Sequence, residues 1–408
     1  MKDVAIIILY PFKIRYFDLD RYETQQFKNY SYLEIHEFSK LLYRHFINSH
    51  KSNYIKNKSI ISFSSLNLWK KHILFLRNKY KKIYIINFLI NDNIFALKIY
   101  YFLKKFQIKR VDILNPGLPN YSFEKEIFSL REHYFYKLRN LFFRFDYVIE
   151  NFKILIKKYI VNFLIKNFDC FKPDFLLKAG KKYLNINNNL FTKVISGVSY
   201  DYSRYLRRFE FKKINYLNNY VVFLAAPGPK NPNDQLFWKT KMADKPDDYY
   251  NALNNFFLDI EHIYKTKIII ALHPKSPRKK RIKELGGRYS YYNKTLELVK
   301  NSKFVINFSS TSISYALLFK KPIFFIYTEA QKNKTPGDVK FAEFLQRLVG
   351  GKLINIDAYS EKDLYPINPI NAKKYKKYIR NYMSFNNHKK PNYKIISELI
   401  KKTENHFK

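Results

Sequence analysis

The chain has 408 residues, 47% of them hydrophobic, which predicts two domains with their own cores and excludes a largely disordered protein. A formal net charge of +42 favours anionic partners, namely nucleic acid, an anionic membrane or an acidic substrate. Cys170 is the only cysteine, so intrachain disulfides and cysteine-based zinc sites are excluded, and a cytoplasmic location is the default expectation.

The first half of the chain alternates short apolar runs with helical patterns. The runs are Val4–Leu9, Ile60–Phe63, Ile83–Phe88 and Val111–Leu114. Helical patterns are predicted at Tyr32–Phe46 and Asn93–Phe106. This alternation indicates an α/β domain with a parallel sheet, in which the N-terminal run is a buried strand and not a signal peptide.

An aromatic and basic stretch, Phe123–Phe168, follows with mostly helical spacing of its apolar residues. The first interpretation is a set of core helices of the N-terminal domain. The alternative is an amphipathic face that binds a membrane surface or a lipid acceptor. No apolar run reaches the length needed to cross a bilayer, so we expect a soluble protein or one peripheral to the anionic inner membrane.

The second half repeats the α/β pattern from about Tyr220. Apolar runs without polar alternation predict strands buried on both faces, at Val221–Ala225, Ile268–Leu272, Phe304–Phe308, Pro322–Tyr327 and Lys352–Ile356. The expected boundaries are 1–205 for an N-terminal α/β domain, 206–365 for a C-terminal α/β domain and 366–408 for a helical segment. The predicted architecture is two Rossmann-like domains that face each other across a cleft.

Polar residues follow two of these strands, where open parallel sheets bind their ligands. His273 and Pro274 come directly after Ile268–Leu272, and Ser309, Ser310 and Thr311 follow the next buried run and open a helix. If the two strands are neighbours, imidazole, hydroxyl and backbone N–H donors converge on one phosphate. The competing interpretation is an ordinary turn and an ordinary helix cap. Lys275, Ser312 and Arg288 are further candidates for the same anion site.

These motifs resemble those of bacterial GT-B glycosyltransferases of capsule and lipopolysaccharide synthesis, closest to the sialyltransferase, polysialyltransferase and Kdo-transferase group. The resemblance covers about Tyr220–Asp357 and rests on His273-Pro274 and Ser309–Thr311. It implies a GT-B fold, a nucleotide-sugar donor with a CMP-sugar favoured, and a cell-surface glycan or lipid-linked acceptor. A UDP- or GDP-sugar donor is the alternative. It also implies that Glu329 lies where such enzymes hold the ribose hydroxyls.

The general base is where this sequence departs from the sialyltransferase pattern. The acidic pair of that family is replaced by Asn115, Pro116 and Gly117, and an amide cannot accept the proton of an acceptor hydroxyl. Asp18 and Asp20 are therefore the candidate bases, and Glu34 and Asp112 are also open. A retaining mechanism, which needs no base of that kind, and weak or absent activity are the alternatives. Asn115, Gly117 and Asp201 are expected to border the acceptor side of the cleft.

Several chemistries lose support because their motifs are missing. The sequence has no P-loop and no dinucleotide-binding glycine motif, and no metal-binding acidic pair lies between apolar strands. We therefore expect no cofactor and no metal. The rival class is a non-catalytic basic protein that binds nucleic acid or an anionic membrane. It explains the charge but not the polar loops at strand ends, so nucleic acid is the less favoured partner.

Overall fold

The structure is a computed structural model. It describes residues 3–29, 32–42, 55, 57–89, 94–114, 117–119, 156, 159–161, 163–184, 192–210, 219–226, 245–273, 276, 282–308, 310–365 and 367–405. Most of the aromatic stretch 123–168 lies outside these residues. The described contacts divide the chain into two units. The first takes in residues up to 114, 156–200 and 388–405, and the second takes in 117–119 and 201–387.

The first unit is built on a seven-stranded parallel sheet with the order β3-β2-β1-β4-β5-β6-β7. Its strands are β1 Val4–Tyr10, β2 Tyr32–Glu37, β3 Ile60–Ser62, β4 Lys82–Asn87, β5 Lys109–Leu114, β6 Phe175–Ala179 and β7 Lys193–Gly197. The helices of this half of the chain are α1 Tyr16–Arg21, α2 Ser39–Leu42, α3 Leu66–Lys79, α4 Ile94–Lys105, α5 Lys181–Leu184 and α6 Tyr200–Leu206.

The second unit is built on a six-stranded parallel sheet with the order β10-β9-β8-β11-β12-β13. Its strands are β8 Tyr220–Leu224, β9 Lys267–Leu272, β10 Ser290–Tyr292, β11 Val305–Asn307, β12 Ile323–Tyr327 and β13 Lys352–Asn355. The following helices are α7 Pro246–Ile263, α8 Thr295–Asn301, α9 Ile313–Leu318, α10 Glu329–Lys334, α11 Pro336–Val349, α12 Glu361–Leu364, α13 Ala372–Tyr378 and α14 Asn392–Asn405.

In both sheets the strand order reverses beside the first strand, which is the arrangement of a Rossmann fold. The predicted α/β class with two Rossmann-like units is confirmed. All seven residues of β1 are buried, because helices cover both faces of a parallel sheet and leave no face for polar side chains. This burial is why the strands could be found as unbroken apolar runs.

One predicted element is wrong. The pattern at Tyr32–Phe46 suggested a helix, but the chain forms β2 and then the short α2. The strand was missed because its alternate residues Tyr32, Glu34 and His36 are polar, although Glu34 and His36 are buried. A hydrogen-bonded network satisfies these side chains, so they are buried although polar residues are usually exposed.

The C-terminal helix α14 belongs to the first unit. Ile396, Leu399 and Ile400 pack in one core with Val4 and Ile6, on the face of the first sheet opposite α3 and α4. In the described ranges, no helix has the length and hydropathy that crossing a membrane would require.

Candidate functional site

The carboxyl edge of the second sheet gathers the polar residues that the sequence singled out. The strand order reverses between β8 and β11, and open α/β sheets bind ligands at that reversal. His273 follows β9, and residues 310–312 follow β11 and lead into α9. Pro274, Lys275 and Ser309 lie outside the described residues, so their predicted roles stay predictions.

The two loops do not follow neighbouring strands, and in this respect the prediction is wrong. β8 lies between β9 and β11, because the chain runs from β9 to the edge strand β10 before it returns to β11. Strands two positions apart are separated by roughly 10 Å. The two loops therefore lie on either side of the end of β8.

Asn307, the last residue of β11, organises the loop that follows it. Its side chain is completely buried, and its Oδ1 accepts a hydrogen bond from the backbone N–H of Ser310 at 3.0 Å. The Ser310 hydroxyl in turn accepts from the backbone N–H of Ser312 at 3.3 Å. These two bonds fix the path of the chain before α9.

The same loop carries polar groups without partners. Among the described residues, Nδ2 of Asn307 has no hydrogen-bond acceptor. The hydroxyls of Thr311 and Ser312, which are partly exposed, also have no partner within those ranges. A buried amide N–H without an acceptor costs about 1–3 kcal/mol, and such groups are expected where a ligand completes the hydrogen bonding.

The His273 loop has a similar character. The carbonyl oxygen of His273 accepts from the backbone N–H of Ser276 at 2.9 Å, and the hydroxyl of Tyr292 donates to the Ser276 carbonyl oxygen. Ser276 is buried, and its own hydroxyl has no partner in the part of the chain that the structure describes. Donors therefore accumulate on both sides of the end of β8.

Glu329 lies at the carboxyl end of β12, beside the strand that leads to residues 310–312. Its carboxylate is exposed and accepts from the side-chain amides of Asn355, at 3.0 Å, and Asn333, at 3.3 Å. Its backbone N–H donates to Asp357 at 2.7 Å. The position is on the predicted edge of the sheet, and its role toward a ribose stays a prediction.

Arg288 does not join this set. It precedes β10 and lies at the amino end of that strand, on the opposite edge of the sheet. Its guanidinium forms an ion pair with Glu261 at 2.8 Å, donates to Asn254 at 2.9 Å, and lies over the ring of Phe257. Its donors hold α7 against the sheet, which does not fit the predicted role as an anion clamp.

In the first unit, Asp18 and Asp20 lie on α1, directly after β1. Asp18 is buried, and Arg15 binds both of its carboxylate oxygens, Nε to Oδ2 at 2.9 Å and Nη2 to Oδ1 at 3.1 Å. The backbone N–H of Arg15 also donates to Asp18, at 3.0 Å, so this carboxylate caps the helix. Asp20 is partly exposed.

The remaining acceptor-side candidates are dispersed. Asn115 lies outside the described residues. Gly117 has a φ of 72°, a conformation that favours glycine, and its carbonyl oxygen accepts from the Tyr378 hydroxyl at 3.3 Å. Asp201 lies in the first turn of α6. The acceptor-side roles of these residues stay predictions.

A second group in the first unit was missed by the sequence analysis. Lys178 and Ser196 are neighbours on β6 and β7, each one residue before its strand ends, and Nε2 of His388 lies 3.0 Å from the Ser196 hydroxyl. Burial lowers the pKa of Lys178, and burial with nearby Lys390 lowers the pKa of His388. A neutral imidazole at this carboxyl edge can accept a proton. His388 lies there because the chain comes back to the first unit at residue 388. No local sequence pattern predicts that return.

Glu34, His36 and His72 form a third cluster, whose ligand atoms all lie within 4.8 Å of one another. Oε2 of Glu34 lies 2.8 Å from Nε2 of His36 and 2.8 Å from Nε2 of His72, and Tyr32 donates to Oε1. The distances between these ligand atoms fit a metal site, but the position of the proton on His36 does not. Trp69 Nε1–H donates to Nδ1 of His36, and burial lowers the pKa of His36, so its neutral ring carries the proton on Nε2. That nitrogen donates to Glu34 and offers no lone pair to an ion.

No family model and no curated protein matches the sequence. Among solved structures, the wall teichoic acid polymerase TagF is 14% identical, with a TM-score of 0.50, over 100% of this chain and 91% of that chain. UDP-GlcNAc 2-epimerase from Methanocaldococcus jannaschii is 14% identical over 97% and 99%, with a TM-score of 0.43. MnaA from S. aureus, solved with UDP, is 9% identical over 84% and 87%, with a TM-score of 0.41. The likeness to TagF supports a GT-B-like fold, in which each of two α/β units contains a parallel sheet.

Proposed function

We propose that this chain is a GT-B glycosyltransferase that moves a sugar from a nucleotide-activated donor to a hydroxyl of a cell-surface glycan or lipid-linked acceptor. The observation that carries the proposal is the set of donors on both sides of the end of β8. On one side is the loop shaped by Asn307, with the available hydroxyls of Thr311 and Ser312. On the other side are His273 and the buried hydroxyl of Ser276.

These groups suit a phosphate ester better than a neutral ligand. Hydroxyl, amide and imidazole N–H groups donate to phosphate oxygens. Nδ2 of Asn307, which has no acceptor among the described residues, gains one when a ligand oxygen enters. During transfer, the bond from the sugar carbon to the phosphate oxygen breaks and its electron pair moves onto that oxygen. Donors placed beforehand at this position stabilise the charge that develops. His273 then donates a hydrogen bond or a proton to the leaving nucleotide.

The acceptor hydroxyl forms the new bond to the sugar carbon and gives its proton to a general base. Asp20 is the first candidate to test, because both carboxylate oxygens of Asp18 accept hydrogen bonds from Arg15 and help to cap α1. His388 is the second candidate, since its lowered pKa leaves the ring neutral at pH 7. Replacing Asp20 by Asn and His388 by Gln in parallel, and comparing kcat at saturating donor, separates the two.

The donor class depends on the motif resemblance, which favours a CMP-sugar over a UDP- or GDP-sugar. Thermal unfolding with CMP, CDP, UDP, GDP and ADP in parallel tests both the site and the donor. A nucleotide at 100 times its Kd adds about 2.7 kcal/mol to the free energy of unfolding. We expect the preferred nucleotide to raise Tm, and His273→Ala and Thr311→Val to abolish most of that rise.

Ser302→Ala is the matched control, because its hydroxyl donates to Val299 just before β11, at the opposite edge of the same sheet. It should lower the starting Tm and leave the nucleotide-induced rise unchanged. If no nucleotide raises Tm, or if the control loses the rise as His273→Ala does, the proposed site is wrong. We expect EDTA to have no effect on transfer, as a metal-independent reaction requires.

A further inference from the structure

The outer side of one helical layer of the first unit is unusually apolar for a surface. α3, α4 and the segment 159–168, which is helical at 159–161 and 163–167, bury their inner sides in one core against β1. Trp69 of α3 and Phe102 of α4 lie with ring centroids 5.4 Å apart, so the two helices pack side by side. Val161 brings the third segment into the same core.

Large hydrophobic side chains also project outward from this layer. Leu68 and Phe75 on α3 are 51% and 60% exposed, and Ile94 and Tyr101 on α4 are 51% and 54% exposed. Of fifteen exposed large hydrophobic residues in the described ranges, nine lie on α3, α4 or at residues 156–168. Surface hydrophobics scattered singly need no explanation, but a concentration of this kind marks a binding surface.

The third segment shows the same property at helical spacing. Tyr159, Ile160 and Phe163 are 74%, 46% and 52% exposed, while Val161, which lies between Ile160 and Phe163 in the sequence, is fully buried. The segment is therefore apolar on two sides, one facing the core and one facing solvent. A helix that only had to cover the sheet would carry polar residues on its outer side.

The charges of the layer have one sign. Lysine and arginine number four on α3, three on α4 and one on the 159–168 segment, and none of these three stretches contains Asp or Glu. Most of these cations are exposed, including Lys71, Lys104 and Lys166. Exposed hydrophobics interspersed with cations and free of acids are the composition of a surface that lies in the interface of an anionic membrane.

We propose that this face of α3, α4 and the 159–168 segment docks on an anionic lipid bilayer. Leu68, Ile94, Ile160 and the aromatic rings enter the headgroup region, and the lysines bind the lipid phosphates. A second copy of the chain is a poor occupant, because two such faces repel each other by like charge. Nucleic acid is also a poorer occupant, since four of the nine exposed hydrophobic residues are aliphatic and offer no surface on which bases stack, namely Leu68, Ile94, Ile156 and Ile160. The inference does not depend on the nucleotide site.

Co-sedimentation of the full chain with vesicles tests the proposal. We expect binding to vesicles with about one-third phosphatidylglycerol to exceed binding to pure phosphatidylcholine by roughly tenfold or more, since each Lys or Arg near an anionic surface contributes about 1 kcal/mol. The double variants Phe75→Ser with Phe163→Ser, and Lys104→Glu with Lys105→Glu, should each reduce binding by roughly tenfold.

Matched controls come from exposed residues elsewhere. Phe209 and Tyr365 are 82% and 62% exposed, and Lys376 and Lys377 are exposed on α13. Phe209→Ser with Tyr365→Ser, and Lys376→Glu with Lys377→Glu, should leave vesicle binding within twofold of the parent. The circular dichroism spectrum and the nucleotide-induced rise in Tm should be the same in all four variants.

Three results would overturn the proposal. The first is equal binding to anionic and neutral vesicles. The second is an equal loss of binding in the charge-reversed control on α13, which would show a general attraction of a cationic protein. The third is duplex DNA that competes with vesicles and loses affinity in the Phe75→Ser, Phe163→Ser variant. Because nucleotide binding is measured separately, failure here and failure of the proposed enzyme are distinguishable.

Discussion

Trp69 determines which nitrogen of His36 carries the proton. The indole N–H lies 3.1 Å from Nδ1 of His36 and can only donate, so Nδ1 must accept and Nε2 must carry the hydrogen. Nε2 then donates to Glu34 at 2.8 Å. A cluster whose composition suggests a metal ligand set is therefore a hydrogen-bonded network that fastens α3 to β2.

The first prediction concerns metal binding by Glu34, His36 and His72. We expect Zn²⁺ or Ni²⁺ at modest excess to leave the Tm of the parent protein unchanged, because the His36 nitrogen that faces the cluster has no free lone pair. Trp69→Phe removes the indole donor and lets the His36 proton move to Nδ1. Zn²⁺ should then stabilise the variant, and calorimetry with and without EDTA measures both effects. Stabilisation of the parent by Zn²⁺ would contradict the proton assignment.

The second prediction concerns stability in acid. Burial alone would raise the pKa of Glu34, but hydrogen bonds from His36, Tyr32 and His72 outweigh it and lower the pKa from 4.5 to about 2. A carboxylate with a lowered folded-state pKa contributes stability that is present above pH 4.5 and is lost as the pH falls toward 2. Glu34→Gln should flatten the pH dependence of the free energy of unfolding in this range.

The matched variant for that experiment is Glu398→Gln, because Glu398 forms an exposed ion pair with Lys390 at 2.7 Å. Exposed pairs contribute little, so this variant should keep the parent's acid profile. At pH 7, Glu34→Ala should cost about 3 kcal/mol, since three buried or half-buried donors lose their acceptor. Urea unfolding at several pH values gives both quantities, and parallel acid profiles for Glu34→Gln and the parent would refute the assignment.

The contrast between β1 and β2 shows how far the sequence can predict this fold. β1, β8, β9, β11 and β12 are almost completely buried, so unbroken apolar runs predicted where they lie. The three-residue edge strand β10 has no such run and was missed. β2 was unreadable, because Glu34 and His36 are buried polar residues whose partners Trp69 and His72 come more than thirty positions later. Local periodicity contains no information about such partners.

The candidate site was also predictable only in part. The loops at His273 and Ser310–Ser312 were predictable because polar residues after buried strands gather at one edge of a parallel sheet. The position of β8 between them was not, because strand order is set by the packing of the whole unit. Asn307 was read as part of an apolar strand, and Arg288 was read as a free cation because Glu261 is distant in sequence.

The third prediction concerns Arg288, which we expect to act on stability and not on nucleotide binding. Its ion pair with Glu261 is largely buried, and its guanidinium also donates to Asn254 and lies 5.1 Å from the centre of the Phe257 ring. Arg288→Ala should lower the free energy of unfolding by about 2–3 kcal/mol, because it removes the ion-pair partner of the Glu261 carboxylate. The nucleotide-induced rise in Tm should persist. A loss of nucleotide binding without a loss of stability would restore the anion-clamp interpretation.

The fourth prediction concerns α14, which is part of the first unit. Ile400 is fully buried against the first sheet, and the hydroxyl of Tyr84 donates to Glu404 at 2.7 Å. Ile400→Ala should cost about 3 kcal/mol, whereas Lys401→Ala, on the exposed side, should change stability by less than about 0.5 kcal/mol. In a Trp238→Phe background, Trp69 is the only tryptophan and its fluorescence reports on the first unit. Equal midpoints for the two variants would show that α14 does not stabilise that unit.

The fifth prediction separates the two functions of the Asn307 side chain. Oδ1 holds the Ser310 backbone N–H, and Nδ2 has no partner in the described ranges and is proposed to serve a phosphate oxygen. Asn307→Asp keeps an acceptor for Ser310 but replaces the Nδ2 donor with a negative charge. Repulsion of the nucleotide should weaken binding by roughly a hundredfold, on the order of 3 kcal/mol.

Asn307→Ala loses both functions but introduces no repulsion, so its affinity should fall by roughly tenfold, with about 1 kcal/mol lost from stability. Isothermal titration with the preferred nucleotide ranks the parent, Asn307→Ala and Asn307→Asp in that order. If Asn307→Asp binds as tightly as the parent, the phosphate does not lie beside Nδ2. If Asn307→Ala binds more weakly than Asn307→Asp, the loop geometry alone accounts for binding, because only the alanine variant releases Ser310.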